Sequence, residues 1–449
     1  MFQVLNRERT VAEPGFNRWL VPPAALSVHL AIGQAYAFSV FNLPMSRLLG
    51  ITRPAPGDWK LTTLGWVFSL AIVFLGLAAS FGGKWVERAG PRKAMLASAC
   101  CFCGGFLVAA LGVRAHSILL VCLGYGVVGG IGLGLGYVAP VKTLITWFPD
   151  RPGMATGMAI MGFGGGAMIG APLSVALMAH FRTATAMGVW QTFVVMGLVY
   201  FVFMMWGVVT VRVPAVGWKP EGYAPSAKPQ KLVTAHHVSA DNAIRTRQFY
   251  CLWMLLFLNV TAGIGVLGQA SAMIQEMFKG RITAVAAGGF VGLLSLFNMG
   301  GRFLWSSASD YLGRKTTYAI YFALGAALYA LVPTAGRIGS MVLFVAAYGV
   351  IMSMYGGAFA TIPAYLRDIF GTAQVSAIHG RLLTSWSAAG LAGPLLVNYI
   401  REYQINHGVA PAQAYSFTMY LMAGLLVLAF LSNHLVSEVE HHFHDPTLA

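Results

Sequence analysis

Residues 61–83 read LTTLGWVFSLAIVFLGLAASFGG, a run without a charged side chain. About 20 apolar residues in a helix cross the ~30 Å hydrocarbon core of a bilayer. The 449-residue chain contains eleven other mainly apolar runs of similar length, so we predict an all-α membrane protein with twelve transmembrane helices. The predicted spans are 19–41, 61–83, 94–113, 117–147, 153–178, 187–211, 249–275, 284–308, 316–335, 340–366, 376–400 and 415–436.

The composition excludes a soluble protein. Hydrophobic residues make up 57% of the chain and charged residues 10%, whereas typical soluble domains carry about 25% charged residues. The net charge of +15 is spread over short loops and forms no basic face. The five cysteines lie inside apolar runs, where a thiol behaves as a small hydrophobe. We therefore expect no nucleic-acid partner, no metal and no organic cofactor.

The two halves of the chain repeat. Glu87 in GKWVERAGPR (83–92) and Asp310 in SSASDYLGRK (306–315) are 223 positions apart. Two other pairs, each 222 positions apart, are Phe148 with Phe370 and Pro172 with Pro394. Parallel repeats of this kind place a substrate site at their interface, near the middle of the membrane. We predict six-helix bundles at 1–211 and 249–449, joined by a cytoplasmic linker at 212–248.

The distribution of Lys and Arg predicts the orientation. With the N-terminus inside, the cytoplasmic segments hold 17 of the 29 Lys and Arg residues, the opposite side holds 9, and three lie within spans. We therefore expect a multi-pass protein of the cell (inner or plasma) membrane with both termini in the cytoplasm. We expect it to be surrounded by lipid and to be monomeric.

The repeated loop resembles the G-x-x-x-D-[RK]-x-G-[RK]-[RK] signature of the major facilitator superfamily. Glu87 stands in place of Asp in the first copy, and Ser306 stands in place of the leading glycine in the second copy. Within that superfamily the chain is similar to the oxalate/formate antiporter family over nearly its whole length. The segments that carry this similarity are GQAYAFSVF (33–41), GYVAP (136–140), WFPDRPG (147–153) and DIFG (368–371). The resemblance implies a secondary transporter that works by rocking-bundle alternating access, and no enzymatic activity.

The two signature copies are candidate gating elements. A carboxylate can cap a helix end and pair with arginine, which would latch the cytoplasmic side shut in one conformation. We expect this role for Glu87, Arg88, Asp310 and Arg314. Two further cations at cytoplasmic span ends either gather anions or anchor the helices at the interface. These are Lys142 and Arg381.

The ionisable groups within the predicted spans point to an anionic substrate. All fourteen acidic residues lie outside these spans. Among the ionisable groups inside them, the sequence singles out His29, Lys142, Arg302 and Arg381. The purely positive interior needs a compensating anion, and a small anionic substrate is the simplest one.

Arg302 is the main candidate for anion binding. It lies eight residues before Asp310, so a rise of 1.5 Å per residue places it roughly 12 Å inside the cytoplasmic boundary. Asn298 stacks on it at i, i+4, and the pair offers a guanidinium fork and an amide donor to one carboxylate. The alternative is a structural latch in which Arg302 pairs with Asp310 or with helix-end carbonyls.

The resemblance also implies an aromatic enclosure. The family's oxalate carrier surrounds its substrate with aromatic side chains, and ordinary helix packing is the alternative for each of them here. By motif register the positions are Tyr36, Tyr137, Phe163 and Tyr355. His29, in the middle of the first span, is either a packed neutral histidine or a proton-coupling site, because imidazole titrates near neutral pH.

One departure from the family bears on the substrate. The oxalate carrier clamps its dianion with an arginine in span eight and a lysine in span eleven, and alignment on Gly380 and Gly393-Pro394 puts Trp386 at the lysine position. A single cation suits one carboxylate, so we expect a monocarboxylate such as lactate, pyruvate or formate, moved by exchange or proton symport. The alternatives are an oxalate/formate-type dicarboxylate antiporter, an efflux carrier of larger amphipathic compounds, and a receptor that senses a carboxylate without transporting it.

Overall fold

The structure is a computed structural model that describes residues 5–223, 232–267, 270–278 and 281–448. Positions 224–231 of the predicted linker and 268–269 of the predicted seventh span lie outside the described residues. The α-helices are α1 Val21–Ile32, α2 Asn42–Met45, α3 Leu61–Ala89, α4 Pro91–Arg114, α5 Ile118–Val121, α6 Gly130–Trp147, α7 Pro152–Phe181, α8 Val189–Thr210, α9 Ala240–Ala243, α10 Arg247–Leu267, α11 Ala270–Met277, α12 Ala284–Leu312, α13 Arg314–Arg337, α14 Met341–Phe370, α15 Val375–Leu382, α16 Thr384–Asn406 and α17 Pro411–His434.

Each predicted span coincides with a helical segment. Among the described residues, ten helical segments are long and apolar enough to cross a membrane. The remaining two predicted spans correspond to α12 and to the pair α15 and α16, which is interrupted at Leu383. Regular structure in the described part of the chain is helical, apart from three isolated bridge pairs. The predicted all-α class is therefore confirmed.

Two spans contain long stretches of non-α helix. The first span continues after α1 as a nine-residue 3₁₀-helix, Gly33–Phe41, although such runs rarely exceed three or four residues. Gly33 allows this stretch to lie against α7, because a Cβ at that position would come within 3 Å of the backbone of Phe163. The fourth span holds an eight-residue π-helix, Cys122–Gly129, between α5 and α6.

The repeat is visible in helix lengths. α3 and α12 both have 29 residues, and α4 and α13, which follow them, both have 24. Each pair is separated by one glycine with positive φ, Gly90 (81°) or Gly313 (82°). Glycine adopts this conformation without a Cβ penalty, so it ends one helix and allows the next to begin at once.

The helices extend further than the sequence predicts, which corrects the placement of several carboxylates. Glu87, Asp310 and Asp368 lie in the last turns of α3, α12 and α14, not in loops. The helices reach them because each continues to a glycine with positive φ, and apolar content alone underestimates this length. The prediction that all carboxylates lie outside the helical spans is wrong for these three, and also for Glu276 in α11 and Glu402 in α16.

The described chain forms two compact units. The first unit is Met1–Pro225 with Gln374–Ser387, and the second unit is Ser226–Ala373 with Ala388–Ala449. In the first unit, α15 packs against α3 and α6. Glycine permits the close approach, because a Cβ at Gly83 would lie 2.6 Å from the Cα of Ala377. In the second unit, α12 packs on α14 and α13 packs on α17. The boundaries at 211 and 249 stay a prediction.

Candidate functional site

Arg302 and Asn298 lie together in the second unit. Both are on α12, and their side chains are 0% and 4% exposed. Arg302 donates from Nε to Oδ1 of Asn298 across 2.9 Å, as i, i+4 neighbours on one helix face can. The guanidinium carbon lies 5.4 Å from the ring centroid of Phe359, within cation–π range. A buried guanidinium has the planar N–H fork that can donate to both oxygens of a carboxylate.

Tyr355 lies on α14 in the same unit. Its ring meets that of Phe359 edge-on, with centroids 5.3 Å apart. The neighbouring Gly356 faces Asn298, because a Cβ there would lie 3.1 Å from Oδ1 of Asn298. The sequence analysis did not single out Phe359, although its i, i+4 spacing from Tyr355 on a buried helix could have indicated it.

The other four aromatic candidates form one cluster in the first unit, which we call the aromatic cluster: Tyr36, Tyr137, Phe163 and Trp386. The ring of Phe163 lies 5.0 Å from Tyr36, 5.4 Å from Tyr137 and 5.3 Å from Trp386. All of these contacts are edge-to-face, a favoured geometry for aromatic pairs. Tyr36 is partly exposed and the other three are buried.

A pair of histidines flanks the aromatic cluster. The ring of His29 lies 5.4 Å from the ring of Tyr137, and the ring of His379 lies 5.8 Å from it. Both histidines are buried, and a ring nitrogen of His29 lies 3.4 Å from the carbonyl oxygen of Ala25. His379 was missed by the sequence analysis, although it directly precedes Gly380, which anchored the alignment of span eleven.

Glu87 lies at the start of α15 in the first unit. The backbone N–H of Ser376 donates to Oε1 of Glu87 across 2.9 Å, so a negative charge caps the positive end of the helix. Lys142, on α6, forms an ion pair with the same carboxylate. Arg88 is exposed at the end of α3, and Arg381 is partly buried on α15. The structure thus brings two of the predicted gating residues, Glu87 and Lys142, into contact.

The second signature copy forms an ion network in the second unit. Arg314 contacts Asp310 across 2.6 Å and Asp368 across 3.1 Å, and Arg367 adds a 3.0 Å contact to Asp368. Ser309 also accepts a hydrogen bond from Arg314. Asp368 was quoted in the sequence analysis only as part of a family segment, because its partner is 54 positions away and no periodicity connects them.

Separating Glu87 from Lys142 is expected to destabilise the protein. The two side chains are 11% and 27% exposed, so Glu87→Gln or Lys142→Met leaves a poorly solvated partner. The double variant should lose less stability than the two single variants lose together, with a coupling energy of about 0.5–3 kcal/mol. Thermal unfolding of the wild type, the two single variants and the double variant in detergent measures this coupling energy. Exposed Arg88→Ala serves as a control, and additive losses would contradict the pair.

In the described part of the chain, no group of three or more His, Cys, Asp or Glu side chains is arranged to hold a metal ion. The candidate residues above supply cations, carboxylates, imidazoles and aromatic rings. Cations can bind an anion or pair with the carboxylates, and imidazoles can exchange a proton.

Comparison with known proteins gives consistent matches. The family model described as the Major Facilitator Superfamily matches residues 24–394. The chain is 27% identical to the oxalate:formate antiporter of Oxalobacter formigenes over 394 residues, which cover 87% of each protein. It is 24% identical to apicoplast pyruvate carrier 1 of Toxoplasma gondii, with 78% of this chain and 71% of that protein covered. Human monocarboxylate transporter 11 is 23% identical, with 92% and 81% covered.

Solved structures show the same fold. The human organic anion transporter MFSD10 superposes with a TM-score of 0.67 at 14% identity and covers 94% of this chain and 100% of that one. The transporter FucP in its outward conformation gives a TM-score of 0.68 at 13% identity, with the same coverage. These likenesses confirm the predicted fold class of twelve transmembrane helices in two six-helix bundles. The matched proteins are transporters and not enzymes, as predicted.

Proposed function

Since the chain belongs to the Major Facilitator Superfamily and is therefore a multi-pass membrane transporter, we propose that its substrate is a small carboxylate anion. A monocarboxylate such as lactate, pyruvate or formate is the preferred substrate of this proposal. Transport proceeds by alternating access, as exchange or as proton symport, and both termini lie in the cytoplasm. The membrane is the inner or plasma membrane of the cell.

The observation that carries the proposal is the burial of Arg302. Its side chain is 0% exposed on a transmembrane helix, with Asn298 and Phe359 as neighbours. Intramembrane arginines are costly and are almost always functional, and a guanidinium fork matches the two oxygens of a carboxylate. Three relatives are named for oxalate and formate, for pyruvate and for monocarboxylates, which supports the same chemical class.

The aromatic cluster supports a monocarboxylate over a dicarboxylate. In this proposal Tyr36, Tyr137, Phe163 and Trp386 contact the substrate and limit its size, and Tyr355 is a further candidate for the same role. Trp386 is 0% exposed among these rings, and an indole cannot neutralise a second carboxylate. The apolar end of a monocarboxylate tolerates that surface, whereas an unpaired carboxylate there would be desolvated without compensation.

The ion pairs are the proposed gating elements. Glu87 with Lys142, and Asp310 with Arg314, hold helix ends in the present conformation. Their release is the proposed change that opens the cytoplasmic side, and Arg88 and Arg381 are further gating candidates. A second candidate function, oxalate/formate-type exchange, is favoured by the name of the relative at 27% identity.

The substrate is tested by counterflow in proteoliposomes loaded with unlabelled lactate, pyruvate, formate or oxalate. We expect saturable exchange of labelled lactate with the three monocarboxylates and little exchange with oxalate. One unpaired carboxylate costs about 1–3 kcal/mol or more, so the preference should be about tenfold or greater. Equal exchange with oxalate would contradict the argument from Trp386 and favour the second candidate. Absence of exchange with all four anions would overturn the proposed function.

A further inference from the structure

Two histidines lie deep in the first unit, and both pack against one tyrosine. His29 of α1 and His379 of α15 are 0% and 1% exposed. Their ring centroids lie 5.4 Å and 5.8 Å from that of Tyr137 on α6. The contact joins three helices that are far apart in the sequence, so no helical periodicity produces it.

One ring nitrogen of His379 is buried without a hydrogen bond in the described part of the chain. Among the described residues, its Nε2 atom has no hydrogen-bond partner. Buried polar atoms of this kind are rare in folded proteins, because desolvation is uncompensated, and they often mark a functional role. An imidazole packed only for its shape could be replaced by an apolar ring at lower cost.

The charged residues on the helices packed against α15 are few. α3 and α6 pack against α15, and their residues Glu87 and Lys142 pair with each other near Ser376, at its N-terminus. In the described part of the first unit, Glu87 is the only carboxylate within an α-helix. The other charged residues on these helices are Lys84, Arg88 and Arg381. An imidazole in water has an ordinary pKa of about 6.5, the closest of the common side chains to physiological pH.

We propose that His379, with His29 packed against the same tyrosine, carries the proton that accompanies the anion, so that the protein is a proton–monocarboxylate symporter. This inference rests on the proposed function. Water on the side of higher proton concentration delivers a proton to Nε2 of His379, which becomes an imidazolium. Release of that proton on the other side restores the neutral imidazole.

The position of the pair beside the aromatic cluster explains why proton and anion move together. A buried imidazolium is unfavourable alone, and a carboxylate that reaches the aromatic cluster stabilises it. Because coupling between two ligands is reciprocal, the imidazolium raises the affinity for the anion by the same factor. Repulsion between two imidazolium rings on one tyrosine favours a single proton in each cycle.

The test uses labelled lactate in proteoliposomes under two conditions. Counterflow at equal pH exchanges anions and needs no net proton movement. Net uptake is driven by an acidic exterior. The fluorescence of pyranine inside the vesicles reports proton entry. Protein-free vesicles correct both signals for diffusion of lactic acid across the lipid. The variants are His379→Gln and His29→Gln, which keep polarity without titration near neutral pH. The matched control is His180→Gln, an exposed histidine at the end of α7.

In the wild type, net accumulation is expected to rise by about tenfold for each pH unit of gradient when one proton accompanies each anion. His379→Gln is expected to lose this stimulation and the pyranine signal, while counterflow persists at higher lactate concentrations because the affinity contributed by the imidazolium is lost. His180→Gln is expected to behave as the wild type. Counterflow in the wild type without a gradient effect would overturn the inference and leave the proposed function standing. Full stimulation in His379→Gln would also overturn it. Arg302→Ala, which should lose both modes, tests the proposed function separately.

Discussion

Arg302→Ala is expected to lower saturable monocarboxylate uptake in proteoliposomes by between about 30-fold and about 1000-fold. Truncating one member of a buried charge pair costs about 2–5 kcal/mol, and about 1.4 kcal/mol is a factor of ten. In the proposed function the partner lost here is the carboxylate of the substrate, which the buried guanidinium of Arg302 binds beside Asn298. Initial rates of labelled lactate uptake measure the loss.

Two variants separate substrate binding from folding. Arg302→Lys keeps the charge but loses the planar fork, so it should fall between the wild type and Arg302→Ala. Arg337→Ala removes an exposed arginine at the end of α13, which bonds only within its own last turn to Thr334, and should transport normally. If Arg302→Ala lowers the melting temperature but keeps its uptake rate, Arg302 is a structural residue and the carboxylate proposal loses its main support.

Arg314→Met is expected to destabilise the protein by about 3–5 kcal/mol, the cost of breaking a buried ion pair by removing one partner. Arg314 is 7% exposed, and the side chains of Asp310 and Asp368 are 8% and 10% exposed. The substitution therefore leaves two poorly solvated carboxylates near each other, with Arg367 still paired to Asp368. Thermal unfolding in detergent should show a large drop in the transition temperature.

A compensated variant distinguishes charge from packing. Arg314→Met combined with Asp310→Asn and Asp368→Asn removes the uncompensated charges, so most of the lost stability should return. Arg337→Met is the matched control for loss of an exposed arginine. If the triple variant is as unstable as Arg314→Met alone, shape rather than charge holds this region together. If Arg314→Met is as stable as the wild type, the network makes no net contribution.

The sequence predicted the fold with few errors because transmembrane helices can be recognised by their length and apolar content. Twelve apolar runs, two signature copies and a constant offset were sufficient. The errors lie at the helix ends, where Glu87, Asp310 and Asp368 extend helices that apolar content alone would have ended earlier. Interruptions inside spans were also missed. The 3₁₀ stretch Gly33–Phe41 and the break at Leu383 depend on neighbouring helices, not on local propensity.

The sequence by itself determined the contacts within one helix. Arg302 with Asn298 follows from the i, i+4 spacing on α12, because a helix repeats every 3.6 residues whatever surrounds it. Asp310 and Arg314 are also four positions apart, but they lie on α12 and α13, on either side of Gly313, so the turn at that glycine brings them together. Only the tertiary structure decided contacts between helices. It placed Lys142 on Glu87, Asp368 on Arg314, and His379 beside Tyr137 and His29. These depend on how closely backbones approach, which glycines such as Gly33 and Gly83 set by lacking a Cβ, and no spacing in one chain encodes which helix will lie opposite.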